Sequence, residues 1–262
     1  MKNIITAAIT DQRRHNNHAW FNQWFDSSFY HQLYANRDEN EAAAFIHELV
    51  NELEPTANSK MLDLGCGSGR HSKYLASKGF EVTGIDLASS SIRQAKRWET
   101  EKLHFYRHDM RVPFGRNVFD IVFNFFTSFG YFEDPSEDHK VVNNIYSALK
   151  PGGVLVMDYI NSIPAEKKLI GNEEKEIDGI IYNINRWTNE THFFKKIRID
   201  NIAMAEPVEH IERVKKFSVD DFQNLFTANG LQLEKVYGDY YLNEYDPENS
   251  PRLILIAKKI KS

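Results

Sequence analysis

The sequence has one cysteine, few glycines and prolines, and no long apolar run. A single thiol, Cys66, cannot form an intramolecular disulfide, which excludes a small secreted scaffold held by disulfides. The 13 glycines and 8 prolines among 262 residues are too few for a collagenous or low-complexity chain. No stretch approaches the roughly 20 apolar residues of a membrane-spanning helix. The apolar run at residues 4–9 is too short for a secretory signal.

The sequence also lacks an excess of positive charge. It has 32 Lys and Arg residues against 37 Asp and Glu residues, a net charge of −5. A protein that binds a nucleic-acid duplex usually has a basic surface, so this balance disfavours such a partner. A length of 262 residues suits one large α/β domain or one domain with an insertion, and 42% hydrophobic residues exclude wholesale disorder. We therefore expect a cytoplasmic protein with neither a nucleic-acid nor a membrane partner.

Strand and helix patterns alternate from residue 60 onward. Short apolar runs at 61–64, 80–86, 103–106, 119–125 and 154–160 are separated by amphipathic helical patterns. This alternation predicts a parallel sheet wound by right-handed crossovers. Ser89 or Ser90 is the predicted cap of the helix after the second strand, and Ser218 that of a late helix. Strands at 231–237 and 253–259 complete the pattern.

The segments that flank this core have different patterns. Before it, aromatic residues cluster at 20–34, and an amphipathic helix is predicted over 38–54. After it, residues 173–217 alternate with the period of two that is typical of β strands. We therefore divide the chain into a helical, aromatic cap (1–58), a core (59–162), an antiparallel β insertion (163–217) and a final helix with two core strands (218–262).

The strongest functional signal is the run DLGCGSG at residues 63–69, where the first strand turns into a helix. Glycines permit backbone angles closed to other residues, and the helix start offers free N–H groups. The spacing G-x-G-x-G differs from the G-x-G-x-x-G of dinucleotide sites, because Arg70 stands where the last glycine would be. The sequence after it does not supply a P-loop either. The loop therefore favours a ligand without a pyrophosphate.

Two carboxylates follow the next strands. Asp86 closes the second strand, and a carboxylate there can accept hydrogen bonds from both hydroxyls of a ribose. Asp109 follows the third strand and could accept one from an adenine amino group. Each acid alone would be an ordinary solvated loop residue. Together with the glycine loop on one sheet edge, they predict a nucleoside pocket.

These residues resemble the motifs of class I S-adenosylmethionine-dependent methyltransferases. The matching segments follow in order: 61–69 (MLDLGCGSG), 82–86 (VTGID), 108–110 (HDM), 119–122 (FDIV) and 149–153 (LKPGG). The flanking segments resemble the subgroup that acts on small molecules. The resemblance implies S-adenosylmethionine as the cofactor. It also implies a Rossmann-like α/β fold with a seven-stranded sheet whose last strand, at 253–259, is antiparallel.

The resemblance implies roles for individual residues as well. The backbone of Gly65, Gly67 and Gly69 would face the methionine part of the cofactor, and Asp63 would support its ammonium group directly or through water. Asp86 would hold the ribose, and Asp109 with the Met110 N–H would frame the adenine. The other residues expected beside the cofactor are Cys66, Leu87, Asn124 and Phe125. Tyr30, Tyr34 and Arg37 would either cover the cofactor or belong to a helix that packs by aromatic burial.

Methyl transfer from a sulfonium is an in-line displacement, so the enzyme must chiefly align donor and acceptor and exclude water. Alignment can supply roughly 7–11 kcal/mol of barrier reduction. A base is needed only if the acceptor arrives protonated, and the candidates are Tyr131, Asp158 and His139. The histidines His15, His18 and His31 show no regular ligand spacing, so we expect no metal site.

The aromatic run after the fourth strand, residues 124–132, lies at the mouth of the expected site. It could line an apolar pocket, stabilise a cationic amine through ring faces, or simply pack under the insertion. The motif NFFT at 124–127 differs from the Asn/Asp-Pro-Pro-aromatic run of enzymes that methylate nucleic-acid bases. We therefore predict a methyltransferase that acts on an N or O atom of a small molecule, as a monomer or homodimer. An NAD-dependent oxidoreductase and a non-catalytic module that binds S-adenosylmethionine remain alternatives.

Overall fold

The computed structural model describes residues 20–35, 39–200 and 206–260, which contain two β sheets flanked by helices. The main sheet comprises β1 (Lys60–Leu64), β2 (Glu81–Asp86), β3 (Leu103–Arg107), β4 (Phe119–Asn124), β5 (Leu149–Ile160), β10 (Leu231–Tyr237) and β11 (Arg252–Lys259). The helices are α1 (Trp20–Phe25), α2 (Ser28–Leu33), α3 (Glu39–Leu53), α4 (Arg70–Ser77), α5 (Ser89–Ala95), α6 (Pro135–Ala148), α7 (Ser162–Lys167) and α8 (Val219–Ala228). None of the helices in these three ranges is long and apolar enough to cross a membrane.

The seven strands lie in the order β3-β2-β1-β4-β5-β11-β10. Strands β1 to β5 are parallel, and β11 runs antiparallel between β5 and β10. This confirms the predicted Rossmann-like sheet with an antiparallel last strand. The strand order reverses between β1 and β4, and in such sheets the crevice beyond the carboxyl ends at the reversal is the usual ligand site.

Side chains alternate between the two faces of the main sheet, and helices cover both faces. Leu62 and Val122 pack in one buried cluster with residues of α6 and α8. Their chain neighbours Met61 and Phe123 pack in a second cluster with α3, α4 and α5. Burying each such side chain contributes about 1.5–3 kcal/mol. Because both faces are covered, the sheet is a rigid platform, and its functional groups lie at its edge.

The second sheet is the predicted antiparallel insertion. Its four strands are β6 (Asn172–Ile177), β7 (Ile180–Thr188), β8 (His192–Asp200) and β9 (Val208–Lys215), in that spatial order. One face buries Tyr182, Ile184, Ile197 and Ile199 around Trp24 of α1, which is fully buried. Helix α1 therefore packs on both the main sheet and the insertion, and α2 packs on the insertion.

Two helix caps show where local prediction succeeds and where it is wrong. Ser218 caps α8 as predicted, in a reciprocal capping box with Asp221. At α5 the N-cap residue is Ala88, and neither Ser89 nor Ser90 caps the helix with its side chain. The carboxylate of Asp26, which follows α1, accepts hydrogen bonds from the Ser90 N–H (2.6 Å) and from both serine hydroxyls. The cap of α5 is supplied by a distant part of the chain.

Two further features differ from the predicted elements. The helix before β5 ends at Ala148, and β5 begins at Leu149 and runs through Pro151, Gly152 and Gly153, rather than starting at 154. The short helix α7 after β5 has no counterpart in the sequence analysis.

Candidate active site

A cleft of about 390 Å³ lies at the carboxyl ends of β1, β2 and β4, where the strand order reverses. Residues of the glycine loop and of the β2 and β3 ends form one wall. Residues of α1, α2 and the loop after β4 form the other. We call these the cofactor wall and the aromatic wall.

The three glycines of the loop at 65–69 all adopt left-handed backbone angles, with φ of 79° at Gly65, 54° at Gly67 and 85° at Gly69. The N–H groups of Gly65 and Cys66 donate to the carbonyl of Ile85, which ties the loop to β2. A Cβ atom on Gly67 would meet nothing within 4 Å and would point into open space. One on Gly69 would lie 2.6 Å from the ring of Phe105, because Gly69 packs beneath the loop and does not line the cleft.

Asp86 lies at the end of β2, half-buried in the cofactor wall. One carboxylate oxygen accepts from the Gly67 N–H (2.8 Å) and the other from the Ala88 N–H (2.8 Å). The acid thus links the glycine loop to the start of α5 while it faces the cleft. Leu87, the next residue, also lines the cleft, as does the buried Cys66.

Two buried polar side chains lie directly behind the glycine loop. Asp63 is 1% exposed, accepts from the Ser72 hydroxyl (2.5 Å) with Oδ2, and its Oδ1 has no hydrogen-bond partner among the described residues. Burial, partly offset by that hydrogen bond, raises its pKa to about 7. Asn124 donates to the Leu64 carbonyl (2.7 Å), and its Oδ1 likewise has no partner in the described part of the chain. Neither side chain lines the cleft.

The burial of Cys66, with the nearby carboxylates of Asp63 and Asp86, also raises the pKa of its thiol well above the usual value. A protonated, buried thiol is a poor nucleophile.

The β3 end of the cofactor wall carries Asp109 and Met110. Both oxygens of Asp109 accept from the Arg111 guanidinium, at 2.7 to 3.2 Å, and Arg111 also pairs with Glu137 (2.7 Å). Burial would raise the pKa of Asp109, but the Arg111 hydrogen bonds outweigh burial and hold it below the ordinary value. The carboxylate therefore stays ionised and is already neutralised by a cation before any ligand contacts it.

The N-terminal helices contribute Tyr30 and Tyr34 to the aromatic wall. The Tyr34 hydroxyl donates to Glu212 of β9 (2.8 Å) and accepts from Lys195 of β8. The indole N–H of Trp24 donates to the same Glu212 oxygen (2.7 Å). The two tyrosines thus both pack by aromatic contact and reach the cleft. Arg37, the third residue predicted to cover the site, lies outside the described residues.

The loop after β4 completes the aromatic wall with Phe125, Phe126, Ser128 and Tyr131. The Tyr131 hydroxyl donates to the Thr127 carbonyl (2.5 Å), and its ring contacts Phe25 of α1. Side chains from separate segments of the chain therefore meet here as a continuous set of rings.

Of the three candidate bases, only Tyr131 lines the cleft. Asp158, at the end of β5, is 1% exposed and forms an ion pair with Arg252 (2.6 Å). His139 is exposed on α6, with its ring 3.2 Å from the side-chain amide of Asn229. The structure thus places two of the three away from the site.

Several ionisable groups in the cleft were missed by the sequence analysis: His31, Glu39, Arg70 and His71. Arg70 and His71 follow the glycine loop directly, and that adjacency was the available signal. His31 lies beside Tyr30 on α2, and its ring is 2.7 Å from the Ser90 hydroxyl. Its role as a lining residue depends on how α2 packs, which no local pattern reveals. In the described ranges no group of three or more His, Cys, Asp or Glu side chains could hold a metal ion.

The residues of the cofactor wall fit S-adenosylmethionine. The open space above Gly67 admits a ligand against the main chain. Asp86 presents a carboxylate to hydroxyl groups, and the unpartnered oxygens of Asp63 and Asn124 lie behind the loop, where a cationic or N–H group could use them. The donor set contains no feature specific for a pyrophosphate.

Comparison with known proteins agrees with this chemistry. A family model described as a methyltransferase domain matches residues 61–153. The chain is 30% identical to the ubiquinone biosynthesis O-methyltransferase of Albidiferax ferrireducens over 203 residues, covering 75% of this chain and 72% of the relative.

The chain is also 26% identical, over 80% of its length and 91% of the relative, to a Streptomyces venezuelae dTDP-3-amino-3,4,6-trideoxy-alpha-D-glucopyranose N,N-dimethyltransferase. The fold resembles an S-adenosylmethionine-dependent methyltransferase from Clostridium acetobutylicum, with a TM-score of 0.73 and 17% identity over 88% of this chain and 95% of that one.

Proposed function

This chain belongs to the class I S-adenosylmethionine-dependent methyltransferase family, and from that premise we propose that it methylates an amine nitrogen of a small molecule. It is an enzyme whose cofactor is S-adenosylmethionine. The NAD-dependent oxidoreductase and the non-catalytic binding module are therefore set aside. The open questions are the acceptor, the methylated atom and the residues that handle each.

The observation that carries the amine proposal is the composition of the aromatic wall. Phe25, Tyr30, Tyr34, Phe125 and Tyr131 all line the cleft, although the Phe125 ring also stacks against His71 and Phe123. Ring faces attract cations, by about 0.5–1 kcal/mol when exposed and about 2 kcal/mol when desolvated. Glu39, whose carboxylate pairs with Lys73 (3.1 Å), lies in the same cleft, as does Arg70. Such a surface favours an acceptor that reaches the site as an ammonium group over a neutral alcohol.

We propose that the cofactor wall holds the donor through main-chain groups of Gly65 and Gly67 and the carboxylate of Asp86. Asp63, buried behind the glycine loop, would support the ammonium group directly or through water. When bound, the cofactor would supply a sulfonium methyl group: the acceptor lone pair would bond to the methyl carbon as the opposite carbon–sulfur bond breaks, and S-adenosylhomocysteine would leave as the neutral thioether. The protein must then hold the acceptor on that line and exclude water. We assign both tasks to the packed rings of the aromatic wall.

An ammonium acceptor must lose a proton before its nitrogen can attack. His31 and His71 line the cleft, and histidine exchanges protons near neutral pH. Tyr131 also lines the cleft, but its hydroxyl already donates to the Thr127 carbonyl. We therefore assign proton removal to a lining histidine and a positioning role to Tyr131. Asp158 and His139 have no part in it, because neither reaches the cleft.

The two curated relatives differ in the atom they methylate. The Streptomyces venezuelae relative, matched over 91% of its length, is named for an amino sugar, and the Albidiferax ferrireducens relative is an O-methyltransferase. The aromatic and acidic lining of the cleft supports methyl transfer to nitrogen, as in the name of the Streptomyces venezuelae relative. We further propose that the insertion and the N-terminal helices together cover the acceptor, since α1 packs on the main sheet and both α1 and α2 pack on the insertion.

Two measurements test the proposal in sequence. Calorimetry at neutral pH should show binding of S-adenosylhomocysteine, the cofactor product. A panel of amino sugars and aliphatic amines, each matched to the analogue with hydroxyl in place of amine, is then assayed for release of S-adenosylhomocysteine and gain of a methyl group by mass. We expect turnover with amines and none with the matched alcohols. Methylation of catechols or alcohols alone would overturn the amine assignment.

A further inference from the structure

The loop after β4 has a backbone conformation that its residues do not favour. Phe126 has φ of 57° and Thr127 has φ of 58°, two consecutive non-glycine residues in the left-handed region. A β-branched residue such as threonine is a clear outlier there. Strained residues of this kind persist only where their surroundings hold them, and they cluster at functional sites.

One residue bonds the N–H groups of both strained residues. The Phe126 N–H donates to Asp158 Oδ2 (2.7 Å), and the Thr127 N–H donates to the Asp158 carbonyl (2.9 Å). Asp158 lies near the end of β5, beside β4 in the main sheet. The loop is thus fastened to the neighbouring strand at the two positions where it is least stable by itself.

Arg252, the first residue of β11, completes the arrangement. Its Nε donates to Asp158 Oδ1 (2.7 Å), and its Nη2 donates to the Thr127 hydroxyl (3.0 Å). The Tyr240 hydroxyl donates to Asp158 Oδ2 (3.2 Å). The side chains of Asp158 and Arg252 are 1% and 17% exposed, so water competes little for these bonds. Both oxygens of the Asp158 carboxylate accept hydrogen bonds from these groups, and the side chain does not line the cleft.

We propose that the Asp158–Arg252 ion pair is a positioning device that holds the loop after β4 in its left-handed conformation and thereby places Phe126 and Ser128 in the aromatic wall. Neither member of the pair lines the cleft, so both act through the loop. Asp158 bonds the strained main chain, and Arg252 orients the carboxylate and the Thr127 side chain. The effect on catalysis rests on the proposed function, whereas the effect on the loop does not.

A buried ion pair can also serve stability alone, so a matched control is needed. Asp138 of α6 is buried and pairs with Lys215, and neither residue lines the cleft. Asp138→Asn removes a comparable buried charge and contacts neither Phe126 nor Thr127; its partner Lys215 reaches the loop only through a main-chain bond to the Gly130 carbonyl (2.9 Å). In Asp158→Asn the new amide nitrogen must face a donor, either the Phe126 N–H or the Arg252 guanidinium. Asp138→Asn should lower only the free energy of unfolding. Asp158→Asn should lower it and also disturb the conformation of the loop after β4.

The first test is hydrogen–deuterium exchange on the full chain, read on the peptide that contains Phe126 and Thr127. We expect exchange there to be about tenfold faster or more in Asp158→Asn. The conservative Arg252→Lys, which keeps the charge but loses the fork, should show a smaller increase and serves if Asp158→Asn does not fold. Asp138→Asn should leave that peptide unchanged. The proposal would be overturned if this peptide exchanged equally slowly in wild type and Arg252→Lys. It would also be overturned if the peptide exchanged as fast in Asp138→Asn as in Asp158→Asn.

The second test is kinetic and uses the amine that the panel identifies. We expect kcat to fall about tenfold or more in Asp158→Asn and Arg252→Lys, because small displacements of aligned groups are costly, while KM for S-adenosylmethionine stays within about twofold. Adding Thr127→Gly to Asp158→Asn should recover part of the rate, since glycine adopts left-handed angles readily. Asp138→Asn should keep the wild-type kcat.

An Asp158→Asn rate no lower than that of the control, or no recovery with Thr127→Gly, would overturn the catalytic part of the proposal. If the wild-type enzyme methylates no amine, the proposed function fails, and the exchange experiment still decides whether the pair holds the loop.

Discussion

The two walls of the cleft are built in different ways. The cofactor wall consists largely of main chain: the loop at 65–69 donates to Ile85, and Asp86 is held by the N–H groups of Gly67 and Ala88. The aromatic wall consists of side chains, and residues from the far end of the chain fix them. Tyr34 depends on Glu212 and Lys195, and the loop after β4 depends on Asp158 and Arg252.

This difference separates what each wall can change. Main-chain groups tied into the sheet present the same donors whatever the neighbouring side chains are, which suits a cofactor shared by many enzymes. A wall of side chains can alter shape and charge by substitution, which suits an acceptor particular to one enzyme. Changes in the first wall should therefore alter cofactor affinity, and changes in the second should alter turnover. The following predictions test that division.

The largest effect is expected from Gly69→Ala. Its methyl group would meet the Phe105 ring at 2.6 Å, at φ of 85°. Overpacking and backbone strain together should lower the free energy of unfolding by roughly 2–4 kcal/mol, as measured by denaturant titration.

Gly67→Ala is the matched comparison, because its methyl group would meet no atom within 4 Å. We expect it to cost only about 1 kcal/mol of stability yet to weaken S-adenosylhomocysteine binding, since the methyl group occupies the space for the ligand. If Gly67→Ala and Gly69→Ala lowered the free energy of unfolding equally, Gly69 would not be packed against Phe105 while Gly67 faces open space.

Asp86→Asn should weaken S-adenosylhomocysteine binding by roughly 10- to 100-fold, the worth of charge-assisted hydrogen bonds to a sugar. Calorimetry measures the change in Kd. The control is Asp120→Asn, since Asp120 binds the Lys60 N–H and Lys150 and does not line the cleft. If Asp86→Asn bound S-adenosylhomocysteine as tightly as Asp120→Asn does, Asp86 would not belong to the cofactor site.

On the aromatic wall, Tyr131→Phe should lower kcat by no more than about tenfold and leave the Kd of S-adenosylhomocysteine unchanged. The variant loses the hydrogen bond to the Thr127 carbonyl but keeps the ring contact with Phe25. Loss of a general base typically costs about 10²–10⁴-fold. A loss in that range, with a displaced pH profile, would make Tyr131 the base after all.

The smallest effect is a pH dependence of cofactor affinity. Burial raises the pKa of Asp63 to about 7, so its carboxyl is mostly protonated at pH 6 and ionised at pH 8. Only the ionised form supports an ammonium group, so affinity should rise with pH through the pKa of about 7 and level off above it. We expect a gain of roughly three- to tenfold between pH 6 and 8, with a proton released on binding.

Calorimetry of S-adenosylhomocysteine binding in two buffers of different ionisation enthalpy measures that proton. Asp63→Asn isolates the effect from His31 and His71, which also lie in the cleft. The same pH dependence in this variant would assign it to the histidines.

The comparison of the walls also explains what could be predicted from the sequence. The glycine loop and the acids Asp86 and Asp109 follow strand ends, so their spacing along the chain fixes their meeting on one sheet edge. The same holds for Ser218, which caps its own helix. These features depend on residues close in sequence: Gly65, Gly67, Asp86 and Asp109 line one cleft, whereas Gly69, also expected to face the cofactor, lies beneath the loop.

The parts that could not be predicted depend on distant partners. Asp158 is a plausible base in the sequence, but Arg252, 94 residues away, engages its carboxylate. Asp26, 64 residues before Ser90, caps α5, where a local serine was predicted. His139 lies on the exposed face of α6 and does not line the cleft. No local spacing encodes these ion pairs and caps, because they form only when the sheet has assembled.

The Asp26 cap has a consequence for the catalytic cycle. Any swing of α1 and α2 that lets spent cofactor leave must strip the Ser90 N–H of its acceptor, and losing a cap costs about 0.5–2 kcal/mol. That free-energy cost falls on α5, which begins at Ser89, just after Asp86. A movement of α1 and α2 away from the cleft would therefore also weaken the segment that holds the ribose.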